Sequence, residues 1–239
     1  MPYREKIPKK ITPDRIKESM VHIGLESSLN FPVSLGYFHS LFLESGYTYQ
    51  SNSDSRDERN FFQHYFFNEK KGIFVYITPY GLTFNCIEKY IGWTVYGKEI
   101  ISLITKLFEN EVILKITRMG IRYISEFPGS DLYKMVNLSV SSSFFTNDND
   151  TGRISFERFE NENRIIVNLI ITKNLKPFTQ AAKSSKELSI IDVDIIRKDL
   201  NIDDFRASEK LLISLHQKEK QVFFSLLNDD FLSTLKPEY

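Results

Sequence analysis

Glu111 to Phe127 reads EVILKITRMGIRYISEF, and the fold turns on how this run is built. Its density of β-branched and aromatic residues favours a pleated strand over a helix. Side chains of a strand alternate between faces. Leu114, Ile116, Arg118, Gly120, Arg122 and Ile124 are therefore expected on one face, and Ile113, Met119, Ile121, Tyr123 and Phe127 on the other. Two guanidinium groups then flank a glycine on the same side of an apolar strand. Arginine in such a setting needs a partner, and Gly120 leaves room for another backbone, a bulge or a ligand.

Two readings of Arg118 and Arg122 follow. In one they grip a phosphate or carboxylate, as planar forks over a gap. In the other they are rungs of an ion-pair ladder with a neighbouring strand. The sequence supplies carboxylates for the second: Glu187 to Ile196 is also strand-like, and Leu188, Ile190, Asp192, Asp194 and Ile196 fall on one face. Asp192 and Asp194 thus project together, placed to orient the arginines. Paired carboxylates can also hold Mg²⁺ or Mn²⁺, with Glu157 as the one further acid that can be named.

Outward from the central strand, the Lys98–Phe108 region is the clearest helix. Ile100, Leu103, Ile104, Leu107 and Phe108 recur at i, i+3, i+4, i+7 and i+8. Earlier, an extended arm runs to Pro13, a strand candidate covers Met20 to Glu26, and a short helix follows Phe31-Pro32 with Val33, Tyr37, Phe38 and Leu41 on its apolar face. Phe61–Phe67, Gly72–Pro79 and Gly81–Tyr90 read as an antiparallel meander with Asn/Lys/Gly and Pro-Tyr-Gly turns. Later, Asp131–Leu138 is a short helix candidate, and Arg153–Phe159 and Arg164–Lys173 form a hairpin through Glu160–Asn163. Phe205–Leu235 is helical, with Leu211, Leu212, Leu215, Val222, Phe223, Leu226 and Leu227 as a stripe that covers the sheet or joins a partner helix. The polar runs 51–60, 141–152 and 173–186 read as loops; Asp148-Asn149-Asp150 resembles only a fragment of a calcium loop.

These elements arrive in hairpin-like runs, so the expected fold is α+β. It has a mostly antiparallel, curled sheet of about seven to nine strands, helices packed on it and a long C-terminal helical region. Residues 1–239 are taken as one domain, with 1–128 and 129–239 as two half-lobes in the alternative.

Composition narrows the function. Thirty-one basic residues balance thirty-one acidic ones, which argues against general nucleic-acid or anionic-membrane binding. No apolar run approaches a membrane span, no signal peptide is visible, and the expected location is cytoplasmic. The single cysteine, Cys86, excludes an internal disulfide framework and reads as a small apolar strand residue. Twenty Phe and twelve Tyr point to a ring-filled core. His22, His39, His64 and His216 show neither metal spacing nor a nucleophile nearby.

In order along the chain stand Tyr90-x-Gly92-Trp93-x-x-Tyr96, Arg118-x-Gly120-Ile121-Arg122-Tyr123-Ile124, Phe156-Glu157-Arg158-Phe159, Ile191-Asp192-Val193-Asp194 and Phe223-Phe224-Ser225-Leu226-Leu227. This series resembles an uncharacterised, sporadically distributed bacterial family with an Arg-x-Gly-Leu-Arg-Tyr-Ile-like centre and a later Leu-Asp-Ile-Asp-like segment. Ile121 and Ser125 depart from that pattern. The resemblance implies no activity or cofactor; its patchy distribution implies an accessory gene, in a defence or mobile-element setting. The resulting expectation is a non-catalytic binding module with a small anionic ligand at Arg118 and Arg122, and with a protein partner or self-association. Two alternatives stand beside it: a metal-dependent enzyme on a nucleotide or phosphoester, and a homodimeric scaffold joined through the C-terminal helix. No cofactor is expected under the leading reading.

Overall fold

The computed structural model describes residues 3–51, 64–87, 89–138, 151–173 and 187–239. Among them the chain forms one curled, antiparallel nine-stranded sheet with helices packed on it, an α+β fold. The central strand of the sequence reading is β6 (Ile113–Pro128). Before it come β1 (Ile16–Ser27), α1 (Phe31–Glu44), β2 (Thr48–Ser51), β3 (His64–Asn68), β4 (Ile73–Thr78), β5 (Gly81–Ile87) and α2 (Trp93–Glu109). After it come α3 (Leu132–Met135), β7 (Thr151–Glu160), β8 (Asn163–Lys173), β9 (Glu187–Arg197), α4 (Phe205–Leu226) and α5 (Asp229–Thr234).

The strand order is β2-β3-β4-β5-β1-β6-β9-β8-β7. Each half of the chain runs strand, helix, meander, helix, and the two first strands, β1 and β6, pair antiparallel at the centre. The halves thus repeat a topology that no sequence repeat announces. β6 joins them, pairing with β1 on one side and β9 on the other.

One face of the sheet carries Val21, Phe84, Ile121, Val193 and Val167, all buried, and packs with the helices into a common core. The other carries Arg118, Arg122, Asp194 and Asn168 along its register. The expected alternation in β6 holds from Arg118 to Ile124 and fails at Ile116. A register shift against β1 falls between Gly24 paired with Arg118 and Leu25 paired with Ile116. Ile116 therefore joins the core at 0% exposure, and a second shift, between Lys115 and Ile113, restores the expected phase so that Ile113 is buried and Leu114 exposed; each bulge adds one residue and reverses the phase.

Helix α1 also differs from its expected face. Ser34, Phe38 and Phe42 are buried, at i, i+4 and i+8, while Val33 and Tyr37 are exposed. Ring packing decides this: Phe42 sits 4.9 Å from Phe66 and 5.5 Å from Tyr47, centroid to centroid. The four-residue β2 escaped the sequence reading. The α4 stripe of Leu211, Leu212, Leu215, Val222 and Phe223 is buried within the chain's own core, so its apolar area is already spent on the sheet. The loop runs at 52–60, 141–150 and 174–186, with the calcium-like fragment, lie outside the described residues. Cys86 is a buried free thiol in β5.

The N-terminal arm is pinned to the far end of the chain. The Lys9 N–H donates to Glu238 O, the Glu238 N–H to Lys10 O at 3.0 Å and the Thr12 N–H to Leu235 O at 2.8 Å. Arg4 donates to the carbonyls of Phe224 and Leu227, which α4 leaves free as it ends, and pairs with Asp229. The arm crosses over the junction of α2, α4 and the sheet and leaves a space beneath it.

Candidate functional site

The four predicted charges lie on the face of the sheet that carries no helix among the described residues, and they do not form one ladder. Arg122 stands directly across from Asp194 in register, yet its fork reaches diagonally to Asp192, Nε to Oδ1 and Nη2 to Oδ2, both at 2.8 Å. Asn168 Nδ2 donates to the same Oδ2 at 2.9 Å. Arg153 and the Ser155 hydroxyl in turn donate to Asn168 Oδ1, each at 2.8 Å. Asp192 is 3% exposed, and three charge-assisted bonds satisfy it, the arrangement a buried carboxylate requires. Glu157 is engaged by Arg164 through two bonds, away from Asp192. Among the described residues no three His, Cys, Asp or Glu side chains come together to hold a metal.

Arg118 makes no ion pair with either aspartate, and its Nε is buried without a hydrogen-bond partner among the described residues. Gly24 stands opposite it and has no room for a side chain, since a Cβ there would meet Arg118 Cβ at 2.9 Å. His22, across from Gly120, shares a hydrogen bond of 3.0 Å with the Thr83 hydroxyl. Burial, and secondarily the Arg118 charge, lower its pKa to about 4. Asp194 moves the other way, raised to about 6 by burial, with Arg122 opposing the shift and Asp192 adding to it.

A raised carboxyl binds its proton more tightly in the folded chain than in the unfolded one. Asp194 therefore costs stability as pH rises from its ordinary value of 3.8 to about 6, and the cost is constant above that. Asp194→Asn is expected to melt higher than the parent at about pH 8 and to lose that advantage near pH 4. Thermal denaturation at both pH values checks it, and a lower melting temperature at the higher pH would instead make Asp194 a stabilising partner of Arg122.

A second constellation lies on the helix side. A cavity of about 530 Å³ opens between α2, α4 and the sheet, beneath the N-terminal arm. Tyr123 and Ser125 of β6 form its floor, Gly92, Trp93 and Thr94 at the start of α2 one wall, and His216, Glu219 and Phe223 of α4 the other. Residues 9–11 and 14–16 of the arm, with Glu238 of the tail, roof it. The volume and the mix of rings with a few polar groups are those of a small-molecule site.

The inner surface is ordered by a chain of contacts. The hydroxyls of Tyr90 and Tyr123 share a hydrogen bond of 3.1 Å, and Tyr123 reaches His216 Nδ1 at 3.2 Å. Trp93 lies flat on the His216 ring, with centroids 3.9 Å apart and planes 11° from parallel. That stacking needs Gly97 one turn on in α2, where an added Cβ would come within 2.8 Å of the indole. Burial, with Lys220 adding to it, lowers the His216 pKa to about 3, and burial pushes the Tyr90 and Tyr123 phenols up. All three groups are uncharged near neutral pH.

Glu219 stands apart. It is 2% exposed, lines the cavity and has no hydrogen-bond or salt-bridge partner among the described residues. Burial raises its pKa well above the ordinary carboxylate value, with Lys220 opposing. Across the cavity, α2 begins at Gly92 with no side-chain cap, and Arg15 leaves its Nε buried and unpartnered. Glu219 and Arg15 therefore both line one cavity.

The sequence reading did not select this site, although a signal was present. Leu212, Leu215, His216, Glu219, Val222 and Phe223 follow helical spacing, which puts His216 and Glu219 inside the apolar stripe of α4. A charged residue on a core stripe is rarely left there without a role.

No protein family model matches the chain, and no curated protein matches it. Among solved structures it is similar to a rolling circle replication initiator protein from Geobacillus stearothermophilus, at a TM-score of 0.31 and 9% identity, over 89% of this chain and 86% of that one.

Proposed function

We propose that the protein is a non-catalytic small-molecule-binding module whose ligand occupies the cavity beneath the N-terminal arm. The observation that supports this best is Glu219, a carboxyl without a partner, buried in the wall of a 530 Å³ ring-lined space. An unmet buried polar group costs about 1–3 kcal/mol, and a ligand supplying the missing partner recovers that cost. A general base works best with a pKa near the operating pH; His216 and both phenols are displaced far from it, while burial raises Glu219 above the carboxylate range.

The anion reading of the arginine-bearing face now rests on Arg118, because Arg122 is engaged by Asp192. The cavity is the stronger candidate, since Glu219 and Tyr123 in its lining are almost wholly removed from solvent.

Native mass spectrometry of protein gently purified from its host tests the reading. A small molecule is expected at one per chain, and Ser125→Leu, which fills the cavity floor from a position 2% exposed, is expected to abolish it while the circular dichroism spectrum is unchanged. A bare mass, together with no thermal shift on adding a metabolite extract of the host, would sink the cavity reading.

A further inference from the structure

We propose that the cavity takes a small zwitterion carried on an aromatic body, the chemical class of an aromatic amino acid, with its ammonium group on Glu219 and its carboxylate toward Arg15 and the start of α2. The inference rests on the cavity being the binding site and assigns the class of its ligand.

Three features select that class. Glu219 offers an acidic group deep in the wall, among the rings of Tyr90, Trp93, Tyr123, Phe223 and Phe224. An ammonium group there gains a carboxylate and several ring faces together. At the opposite pole, α2 is seventeen residues long, starts without a side-chain cap, and turns Gly92, Trp93 and Thr94 to the cavity. Its free N–H groups and partial positive charge favour a carboxylate, and Arg15, whose guanidinium lies 6.0 Å over the Phe127 ring, brings a positive charge to the lining of the same cavity.

The two poles stand on different elements, Glu219 on α4 and Arg15 on the N-terminal arm. Lys220 also lines the cavity and donates to the Lys9 carbonyl of its roof at 2.9 Å, and Lys10 is paired with Glu238 at 3.0 Å. A plain amine would satisfy Glu219 and leave the Arg15 pole unmet, and a plain carboxylate would do the reverse. A zwitterion meets both, and its aromatic body fills the space between Tyr123 and Phe223.

The test uses three probes on one skeleton: phenylalanine, phenethylamine and hydrocinnamate. Trp93 is the only tryptophan in the chain and lines the cavity, so its emission reports binding of each. Phenylalanine is expected to bind at least ~10-fold more tightly than either of the others. Glu219→Gln is expected to weaken phenylalanine and phenethylamine by about 10-fold and leave hydrocinnamate unchanged, and Arg15→Gln to do the opposite. If phenethylamine or hydrocinnamate binds the parent protein as tightly as phenylalanine, the zwitterion assignment falls while the cavity reading stands. If none of the three alters Trp93 emission or the melting temperature, the zwitterion assignment falls, and the cavity reading falls with it only where the native mass is also bare. The parent protein alone decides between these outcomes even if a variant fails to fold.

Discussion

Glu219→Gln is expected to make the protein more stable at neutral and alkaline pH, with a gap from the parent that widens as pH rises. Burial holds the folded-state pKa of Glu219 well above its ordinary value. The folded chain thus keeps a proton that the unfolded chain gives up near pH ~4.3, and the parent loses stability from that pH upward to the folded pKa. The slope approaches about 1.4 kcal/mol per pH unit over this window, and glutamine, which has no proton to lose, removes it. The groups facing Glu219 leave that window clear: His216 titrates near 3, Tyr90 and Tyr123 are pushed above their usual range, and Lys220 is lowered by burial, with Glu219 opposing. Chemical denaturation of both proteins at several pH values is the measurement. Parallel stability profiles would mean that Glu219 is ionised and partnered in solution.

The second large effect is expected at Asp192. Asp192→Ala removes the acceptor of both Arg122 bonds and of the Asn168 bond. A fully buried pair broken on one side costs about 3–5 kcal/mol. Here the Arg122 side chain is 40% exposed and can turn to water, so about 2–3 kcal/mol is expected. Arg118→Ala, which breaks no ion pair, should cost under about 1 kcal/mol. The contrast is what matters. Equal losses at the two positions would show that Arg118 has a partner in solution, and a negligible loss at Asp192 would remove the structural role of the Arg122 pair.

These two predictions concern residues of different visibility in the sequence. Asp192 and Arg122 stand out because period-two alternation puts a charge on an otherwise apolar strand face. Their meeting could be anticipated as a possibility, since two such strands in one sheet bring complementary charges within reach. The pairing actually made could not. In register Arg122 opposes Asp194, and the diagonal reach to Asp192 depends on Asn168 and Ser155, which come from two further strands. Local pattern also misjudged α1, where Val33 and Tyr37 belong to an apolar-looking face that the ring cluster around Phe66 does not use.

What the sequence by itself determined is the class of object: an α+β chain with a meander, a central arginine-bearing strand, an amphipathic α2 and a long C-terminal helix. Those features follow from periodicity and turn chemistry, which act between residues close in the chain. Only the tertiary structure decided the strand order, the topological repeat about the β1–β6 pair and the cavity. The cavity joins residues 9–16, 90–94, 123–125, 216–224 and 238, and no local rule connects segments so far apart. Their assembly depends on which face of the sheet the helices bury and on the arm being bonded to the tail. Glu219 stands on a core stripe in the sequence, but only the fold shows that it is an acid facing a cavity.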